Sequence, residues 1–336
     1  MVVDANFFMS LAVKEAWKYQ GLTYPNPAVG CVVVGQNNEL LAINAHQRAG
    51  SPHAEVMALK YAYIKLTNDD NILDITSSNE IHTYLLTKHN HCFKDISLYT
   101  TLEQCSHVGK TPSCAFLIAS LGIKKVYVGV NDINIQASNG NEILKKSGVE
   151  VVTSVMQQEC KELIQPFNKW QKENFVFFKW AQRLDGSTDG GIISSRESRI
   201  NVHKMRNVCD LLVIGGNTVR VDRPSLDARL VNGKAPDILI VSKQKDFDKS
   251  IPLFNIKDRK VVIADNFSIL SEYKNIMIEG GSKMLELSRE NIDYYLCYIA
   301  PTMSSNSSFN SIDEKFKILN LQTVEQDIIM WMKREL

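Results

Sequence analysis

The feature that most constrains the fold of this chain is a repeated alternation of short apolar runs with helix-like segments. In the first part, strand-like runs occur at 29–34, 40–45, 97–102, 124–130 and 149–152, and most are separated by helix-like sequence. Short apolar runs bounded by turn residues indicate buried strands, whereas apolar residues at helical spacing indicate covering helices. This alternation predicts one sheet with helices packed on it, which is an α/β fold.

The same alternation begins again after a charged helical stretch at 155–174. Six strand-like runs follow, at 175–181, 210–216, 237–242, 260–265, 275–281 and 294–301, with helices expected at 196–208 and 282–290 and a hairpin at the end. A length of 336 residues also suggests about two domains. We predict domains at 1–172, including a connector helix at about 155–172, and at 173–336. The long polar segment 65–96 is expected to be a surface excursion.

Charge and cysteine usage exclude several classes of protein. The chain has 38 basic and 37 acidic residues, so no basic excess is present to neutralise a phosphate backbone, and we expect no nucleic-acid partner. No apolar run approaches the ~20 residues that span a bilayer, and the N-terminus does not resemble a signal peptide. Seven irregularly spaced cysteines favour the reducing cytoplasm over a disulfide framework.

Two stretches, "SPHAEVMAL" (51–59) and "TLEQCSHVGKTPSC" (101–114), concentrate chemically active side chains. His53 and Glu55 stand at the start of a predicted helix, and Cys105 and Cys114 follow about fifty residues later. Either half alone would also fit a structural histidine or two buried cysteines. Together, one imidazole and two thiolates leave a fourth position for water, which suits a catalytic zinc. Zinc lowers the pKa of bound water to about 7, and a nearby glutamate that is not a ligand can carry its proton.

These motifs resemble a known family. "YPNPAVGCVVV", "HQRAGSPHAEVMAL" and "TLEQCSHVGKTPSC" are similar to the deaminase half of the bifunctional riboflavin-biosynthesis deaminase/reductases. "KWAQRLDG", "GGNTVRVDRPSLDARL" and "IMIEGGSKML" are similar to the reductase half. The resemblance implies an N-terminal cytidine-deaminase-like α/β/α domain and a C-terminal dihydrofolate-reductase-like α/β domain. It implies two cofactors, zinc and NADPH, and a small pyrimidine ribosyl phosphate as the substrate.

The resemblance also implies roles for individual residues. In the first half, it places zinc on His53, Cys105 and Cys114, acid/base catalysis on Glu55 and pyrimidine binding on Asn26. In the second half, the residues implied to contact NADPH are Ala181, Thr218, Asp222, Ser242, Gly281, Ser282 and Lys283. Those implied to contact the substrate are Arg206, Leu226, Arg229 and Glu279. The two arginines suit a sugar phosphate because guanidinium groups match phosphate oxygens.

Three departures from the family pattern qualify these expectations. Gln104 stands where the family usually has proline, so we expect a looser entry to Cys105. Ile192 stands where a tryptophan tends to lie against the cofactor, in a short loop at 187–194. An alternative is therefore a deaminase whose degenerate reductase domain only supports oligomerisation; another is a nucleic-acid-editing protein, which the balanced charge disfavours. We expect a homo-oligomer, either a dimer or a tetramer.

Overall fold

The computed structural model describes residues 3–106, 112–134, 138–304 and 313–335. The chain forms two compact units, Met1–Gln171 and Lys172–Leu336. The division falls one residue before the predicted domain boundary. Among the described residues, no helix combines the length and the apolar character needed to cross a bilayer.

The first unit is built on a five-stranded sheet in the order β2-β1-β3-β4-β5. Its strands are β1 (Gly30–Val34), β2 (Leu40–Ala45), β3 (Ser97–Leu102), β4 (Lys125–Val130) and β5 (Glu150–Val152). The helices are α1 (Ala5–Trp17), α2 (Ala54–Thr67), α3 (Ser78–Lys88), α4 (Cys114–Ser120), α5 (Gly140–Lys146) and α6 (Gln157–Lys172). β1 runs antiparallel to β2 and β3, whereas β3, β4 and β5 are parallel. Every residue of β1 is buried, as its continuous apolar run predicts for a central strand.

Helix beginnings and one strand end position the predicted zinc ligands. His53 is the extended residue immediately before α2, and Cys114 is the first residue of α4. Ser113 caps α4 by accepting a hydrogen bond from the amide of Phe116, as serine does at this position in many helices. β3 ends at Leu102, and the chain then passes through Glu103 and Gln104 to Cys105.

One prediction about the first unit needs correction, and a second needs an addition. Segment 65–96 is more than a surface excursion, because it contains α3, and Ile81, His82 and Leu85 of that helix are buried. The predicted connector is also a core element: α6 buries Leu163, Phe167 and other apolar side chains. Both segments are polar in overall composition, so their buried faces were not predicted. One apolar stripe is nevertheless enough to anchor a helix.

The second unit contains an eight-stranded sheet in the order β12-β13-β11-β6-β10-β7-β8-β9. Its strands are β6 (Phe175–Arg183), β7 (Leu211–Gly215), β8 (Asp237–Val241), β9 (Val261–Ala264), β10 (Asn275–Glu279), β11 (Tyr294–Ala300), β12 (Phe316–Val324) and β13 (Asp327–Arg334). The helices are α7 (Arg196–Val208), α8 (Gly216–Asp222) and α9 (Ser282–Ser288).

The direction of the strands decides where functional residues of this unit can meet. The six strands from β11 to β9 in the sheet order are parallel, and β12 and β13 add the predicted antiparallel hairpin. The carboxyl ends of β6, β7, β8 and β10 therefore lie at one edge of the sheet. Ligands of open α/β sheets bind at this edge.

Candidate active sites

His53, Cys105 and Cys114 converge although they come from three different segments. His53 Nδ1 lies 3.6 Å from Cys105 Sγ and 3.4 Å from Cys114 Sγ. The three ligand atoms all lie within 4.8 Å of one another, and within the described ranges this is the only such histidine, cysteine or carboxylate group. The amide of Cys114 also donates to Cys105 Sγ over 3.3 Å, which favours a thiolate there.

These distances fit a zinc ion. Zinc–nitrogen and zinc–sulfur bonds of about 2.0 and 2.3 Å, set at a tetrahedral angle, separate nitrogen and sulfur by about 3.5 Å. The two observed nitrogen–sulfur distances are close to that value. Among the effects on Cys105, hydrogen bonding from Cys114 is the largest; with help from His53 it lowers the pKa of Cys105 to about 4. A site with three ligands of this kind keeps one position open for water, as catalytic zinc sites do.

Glu55 lies in the first turn of α2, two residues after His53, and only 4% of it is exposed. Burial raises the pKa of Glu55 to about 7, and the charge of Cys105 adds to this, while His53 opposes it. A carboxyl group with such a pKa can both accept and donate a proton near neutral pH. Glu55 is not among the three clustered ligands.

A cavity of about 370 Å³ opens beside these residues and is lined by Asn26, His46, His53, Glu55 and Cys105, among others. Asn26 Nδ2 lies 3.1 Å from His46 Nε2, and His46 Nδ1 lies 3.2 Å from the carbonyl of Pro52. Burial lowers the pKa of His46 to about 4, with a further contribution from His53, so the ring is neutral. A ring protonated on Nδ1 donates to Pro52 and accepts from Asn26, which fixes the orientation of the Asn26 amide. No role was predicted for His46 from the sequence, although it opens the "HQRAGSPHAE" motif.

The loop that carries Cys105 is tightly held. The side chain of Gln104 is fully buried, and its Nε2 donates to Thr100 Oγ1 over 2.7 Å. The Glu103 carboxylate accepts from the amides of Asp132 and Asn141. Proline at position 104 could not make the hydrogen bond to Thr100, because its side chain has no donor. A looser entry to Cys105 stays a prediction. Residues 107–111, which include part of the "GKTPSC" motif, lie outside the described residues.

The residues predicted to contact NADPH gather at the carboxyl edge of the second sheet. Ala181 lies near the end of β6, Ser242 follows β8, and the Gly281-Ser282-Lys283 turn follows β10 and starts α9. Thr218 and Asp222 lie in α8, directly after β7. A β-carbon on Gly216 would approach Ser242 Cβ to 2.6 Å, so the start of α8 and the end of β8 pack in direct contact. That the seven predicted residues contact NADPH stays a prediction.

The predicted substrate residues divide into a buried pair and a loop. Arg206 of α7 and Glu279 at the end of β10 form two hydrogen bonds of 2.9 Å each. Lys179 Nζ lies 3.8 Å from the Glu279 carboxylate. Burial lowers the pKa of Lys179, while Glu279 raises it again. No role was predicted for Lys179 from the sequence, although it opens the "KWAQRLDG" motif.

Leu226 and Arg229 lie on the loop after α8, and their side chains differ in exposure. Leu226 is 5% exposed, whereas the Arg229 side chain is 63% exposed and pairs with Asp227 at 2.9 Å. Ile192, which replaces the expected tryptophan, is 71% exposed. An exposed isoleucine offers less surface to a flat cofactor ring than tryptophan does.

Comparisons with known proteins match both units. Residues 3–130 match the family model of the cytidine and deoxycytidylate deaminase zinc-binding region, and residues 174–329 match that of the RibD C-terminal domain. A riboflavin biosynthesis protein RibD from Aquifex aeolicus is 29% identical over 380 aligned positions that cover 99% of each chain. The chain belongs to the RibD family.

Solved structures of the RibD family agree with this assignment over nearly the whole chain. The Thermotoga maritima diaminohydroxyphosphoribosylaminopyrimidine deaminase/5-amino-6-(5-phosphoribosylamino)uracil reductase has a TM-score of 0.65 at 28% identity, with 98% of each chain covered. RibD from Acinetobacter baumannii has a TM-score of 0.63 at 26% identity, with 99% of each chain covered. This RibD-family chain is therefore a bifunctional deaminase/reductase of riboflavin biosynthesis, with a zinc-binding deaminase domain and a reductase domain.

Proposed function

We propose that the first unit hydrolytically removes the amino group at C2 of a 2,5-diamino-6-ribosylamino-pyrimidinone 5′-phosphate. The observation that carries this proposal is the convergence of His53, Cys105 and Cys114, together with a cavity that is lined by His53, Cys105 and the buried Glu55. His53, Cys105 and Cys114 would hold a zinc ion, which would lower the pKa of a bound water molecule to about 7. In this hydrolysis the C2–N bond breaks, the oxygen comes from water, and the amine leaves as ammonia.

Glu55 and Asn26 have separate tasks in this reaction. The Glu55 carboxylate takes a proton from the attacking water and gives one to the leaving amine, a task that suits a pKa of about 7. Asn26 offers the pyrimidine ring an amide whose orientation His46 fixes. His46 cannot compete with Glu55 as a base near neutral pH, because its pKa is about 4 and its two nitrogens already have partners.

We propose that the second unit then transfers hydride from NADPH to C1′ of the ribosyl group and so forms the ribityl chain. Support comes from the shared edge of the sheet, where the predicted cofactor residues and the Arg206–Glu279 pair all lie. NADPH supplies two electrons as hydride, and a proton completes the reduction. The phosphate of the substrate is the expected partner of Arg229, whose guanidinium is largely exposed.

One experiment tests both halves of this proposal. Purified protein is analysed for zinc and then incubated with the diaminopyrimidine phosphate, with and without NADPH. We expect about one zinc per chain, release of ammonia without NADPH, and oxidation of NADPH only after ammonia is released. A zinc chelator should stop ammonia release but leave reduction of the pre-deaminated substrate intact. Ammonia release by fully zinc-free protein would contradict the deaminase assignment.

The reductase proposal has its own decisive measurement. NADPH binding, followed by fluorescence, separates an active reductase from a degenerate scaffold. Binding at micromolar NADPH supports the proposal, whereas no binding at millimolar concentration would favour the scaffold. We also propose a cytoplasmic homo-oligomer; light scattering and cell fractionation test these two expectations.

A further inference from the structure

The loop that links α8 to the rest of the second unit has an unusual backbone. We call residues 224–229 the substrate loop, because it carries Leu226 and Arg229. Leu226 has a φ of 52°, in the left-handed region that side chains with a β-carbon rarely adopt. Such a conformation persists only where surrounding contacts hold it.

Those contacts are made to four successive carbonyl oxygens. The amide of Leu253 donates to Pro224 O over 3.1 Å. Arg259 donates twice, from Nη1 to Ser225 O over 2.7 Å and from Nη2 to Leu226 O. Arg206 Nη1 reaches Asp227 O at 3.4 Å. The two arginines therefore hold three of the four carbonyls. Arg259 binds the carbonyl oxygens of the peptide groups immediately before and after the Cα of the strained Leu226.

Among the described residues, Arg259 has no competing ion pair. In the part of the chain that the structure describes, no carboxylate lies within ion-pair distance of its guanidinium. Burial and the nearby Arg206 lower its pKa to about 10, against the opposite effect of Asp227, so Arg259 is charged at neutral pH. A partly buried cation without a carboxylate depends on its carbonyl contacts, and these are directed at the substrate loop.

We propose that Arg259 is a positioning residue for substrate binding in the reductase half. By holding Ser225 and Leu226 it fixes the direction in which Leu226 and Arg229 present their side chains. The inference rests on the proposed reductase function. It adds a residue on the segment before β9 that the sequence motifs do not contain. Without Arg259 the loop can leave the left-handed conformation, and each binding event must order it again at a cost in affinity.

Steady-state reduction of the pre-deaminated substrate tests this, with Arg259→Met, Arg259→Lys and a control. Lys260→Met is the matched control, because Lys260 is the next residue and its Nζ forms an exposed pair with Glu272. We expect Arg259→Met to raise the KM for the pyrimidine phosphate about tenfold or more while kcat at saturation changes less than threefold. Arg259→Lys retains the charge but cannot bridge both carbonyls, so its KM for the pyrimidine phosphate should lie between those of the wild type and Arg259→Met. The KM of Lys260→Met should match that of the wild type.

Two further measurements distinguish a positioning role of Arg259 from a general loss of protein structure. The KM for NADPH and the rate of ammonia release should stay within twofold of the wild type in all variants. A KM for the pyrimidine phosphate within twofold of wild type in folded Arg259→Met would overturn the inference, as would an equal loss for NADPH. If Arg259→Met does not fold, the same criteria apply to Arg259→Lys. Failure of the wild type to oxidise NADPH would instead refute the proposed reductase itself.

Discussion

The guanidinium of Arg206 and the carboxylate of Glu279 form a two-bond ion pair, with Nε–Oε1 and Nη2–Oε2 distances of 2.9 Å. Both side chains are 13% exposed. The family resemblance implied a substrate contact for each of them separately, and in the structure they also pair with each other. Arg206 also reaches the Asp227 carbonyl, so the pair connects the end of β10 to the substrate loop.

Breaking this pair should cost substantial stability. Glu279→Gln leaves the Arg206 charge buried beside Lys179 without a carboxylate, and we expect a loss of about 3 kcal/mol in the free energy of unfolding. Arg206→Met combined with Glu279→Gln should recover part of that loss, because it removes the uncompensated charge. Urea denaturation of the wild type, Glu279→Gln, Arg206→Met and the double variant measures the coupling. A loss below about 0.5 kcal/mol in Glu279→Gln would show that solvent screens the pair.

The same pair predicts a pH dependence. Burial alone would raise the pKa of Glu279, but Arg206 and Lys179 outweigh it and hold that pKa below its ordinary value. A carboxyl group with a depressed pKa stabilises the fold above its unfolded pKa of about 4.3, and this contribution is lost as pH falls through the folded pKa. The unfolding free energy of the wild type should therefore fall more steeply than that of Glu279→Gln below about pH 4.3. Parallel slopes in urea titrations at several pH values would contradict the assignment.

Glu55→Gln should remove deamination without removing zinc. The amide keeps the size of the side chain but cannot shuttle a proton, so we expect ammonia release to fall by about 10²- to 10⁴-fold. Zinc content and the rate of NADPH oxidation with pre-deaminated substrate serve as internal controls. Glu142→Gln, at an exposed glutamate of the same unit, should behave as wild type. Undiminished ammonia release by the zinc-loaded variant would assign the proton transfer to another group.

Gly140→Ala should disturb the loop that presents Cys105. A β-carbon on Gly140 would stand 1.9 Å from the carbonyl oxygen of Gln104, so the backbone next to Cys105 must move. We expect zinc affinity, measured by competition with a chelator, to fall about tenfold or more. Gly35→Ala is the matched control, because its nearest atom would be the flexible side chain of Leu41 at 3.2 Å. Equal zinc affinity in both variants would show that the loop adapts.

Lys60→Met should loosen segment 65–96. Lys60 is 3% exposed, and its Nζ donates to the carbonyls of Leu73 and Ile75, each over 2.7 Å. Hydrogen bonds from a charged donor contribute about 1.5–3 kcal/mol each, so thermal and urea unfolding should show a loss of about 2 kcal/mol or more. Lys18→Met, which removes an exposed pair with Glu15, should change stability by less than about 0.5 kcal/mol. Equal effects of the two substitutions would mean that the segment is not anchored through Lys60.

The zinc triad and the parallel strands show what local sequence can predict. A parallel strand such as β7 appears as a continuous apolar run, because a strand covered on both faces excludes polar residues from both. His53, Cys105 and Cys114 were proposed as ligands from the combination of the two motifs that carry them, because few side chains bind zinc. The buried faces of segment 65–96 and of α6 were not predicted, since a polar helix can bury a narrow stripe that composition does not reveal.

The sequence by itself determined the alternation of elements, the α/β class, the family and the residue types that can bind zinc, because these depend on local spacing and side-chain chemistry. Only the tertiary structure decided which groups meet: His46 with Asn26, Arg206 with Glu279, and Arg259 with the carbonyls of the substrate loop. Each of these contacts joins residues at least 20 positions apart. Their geometry depends on strand order and loop conformation, which no local pattern specifies.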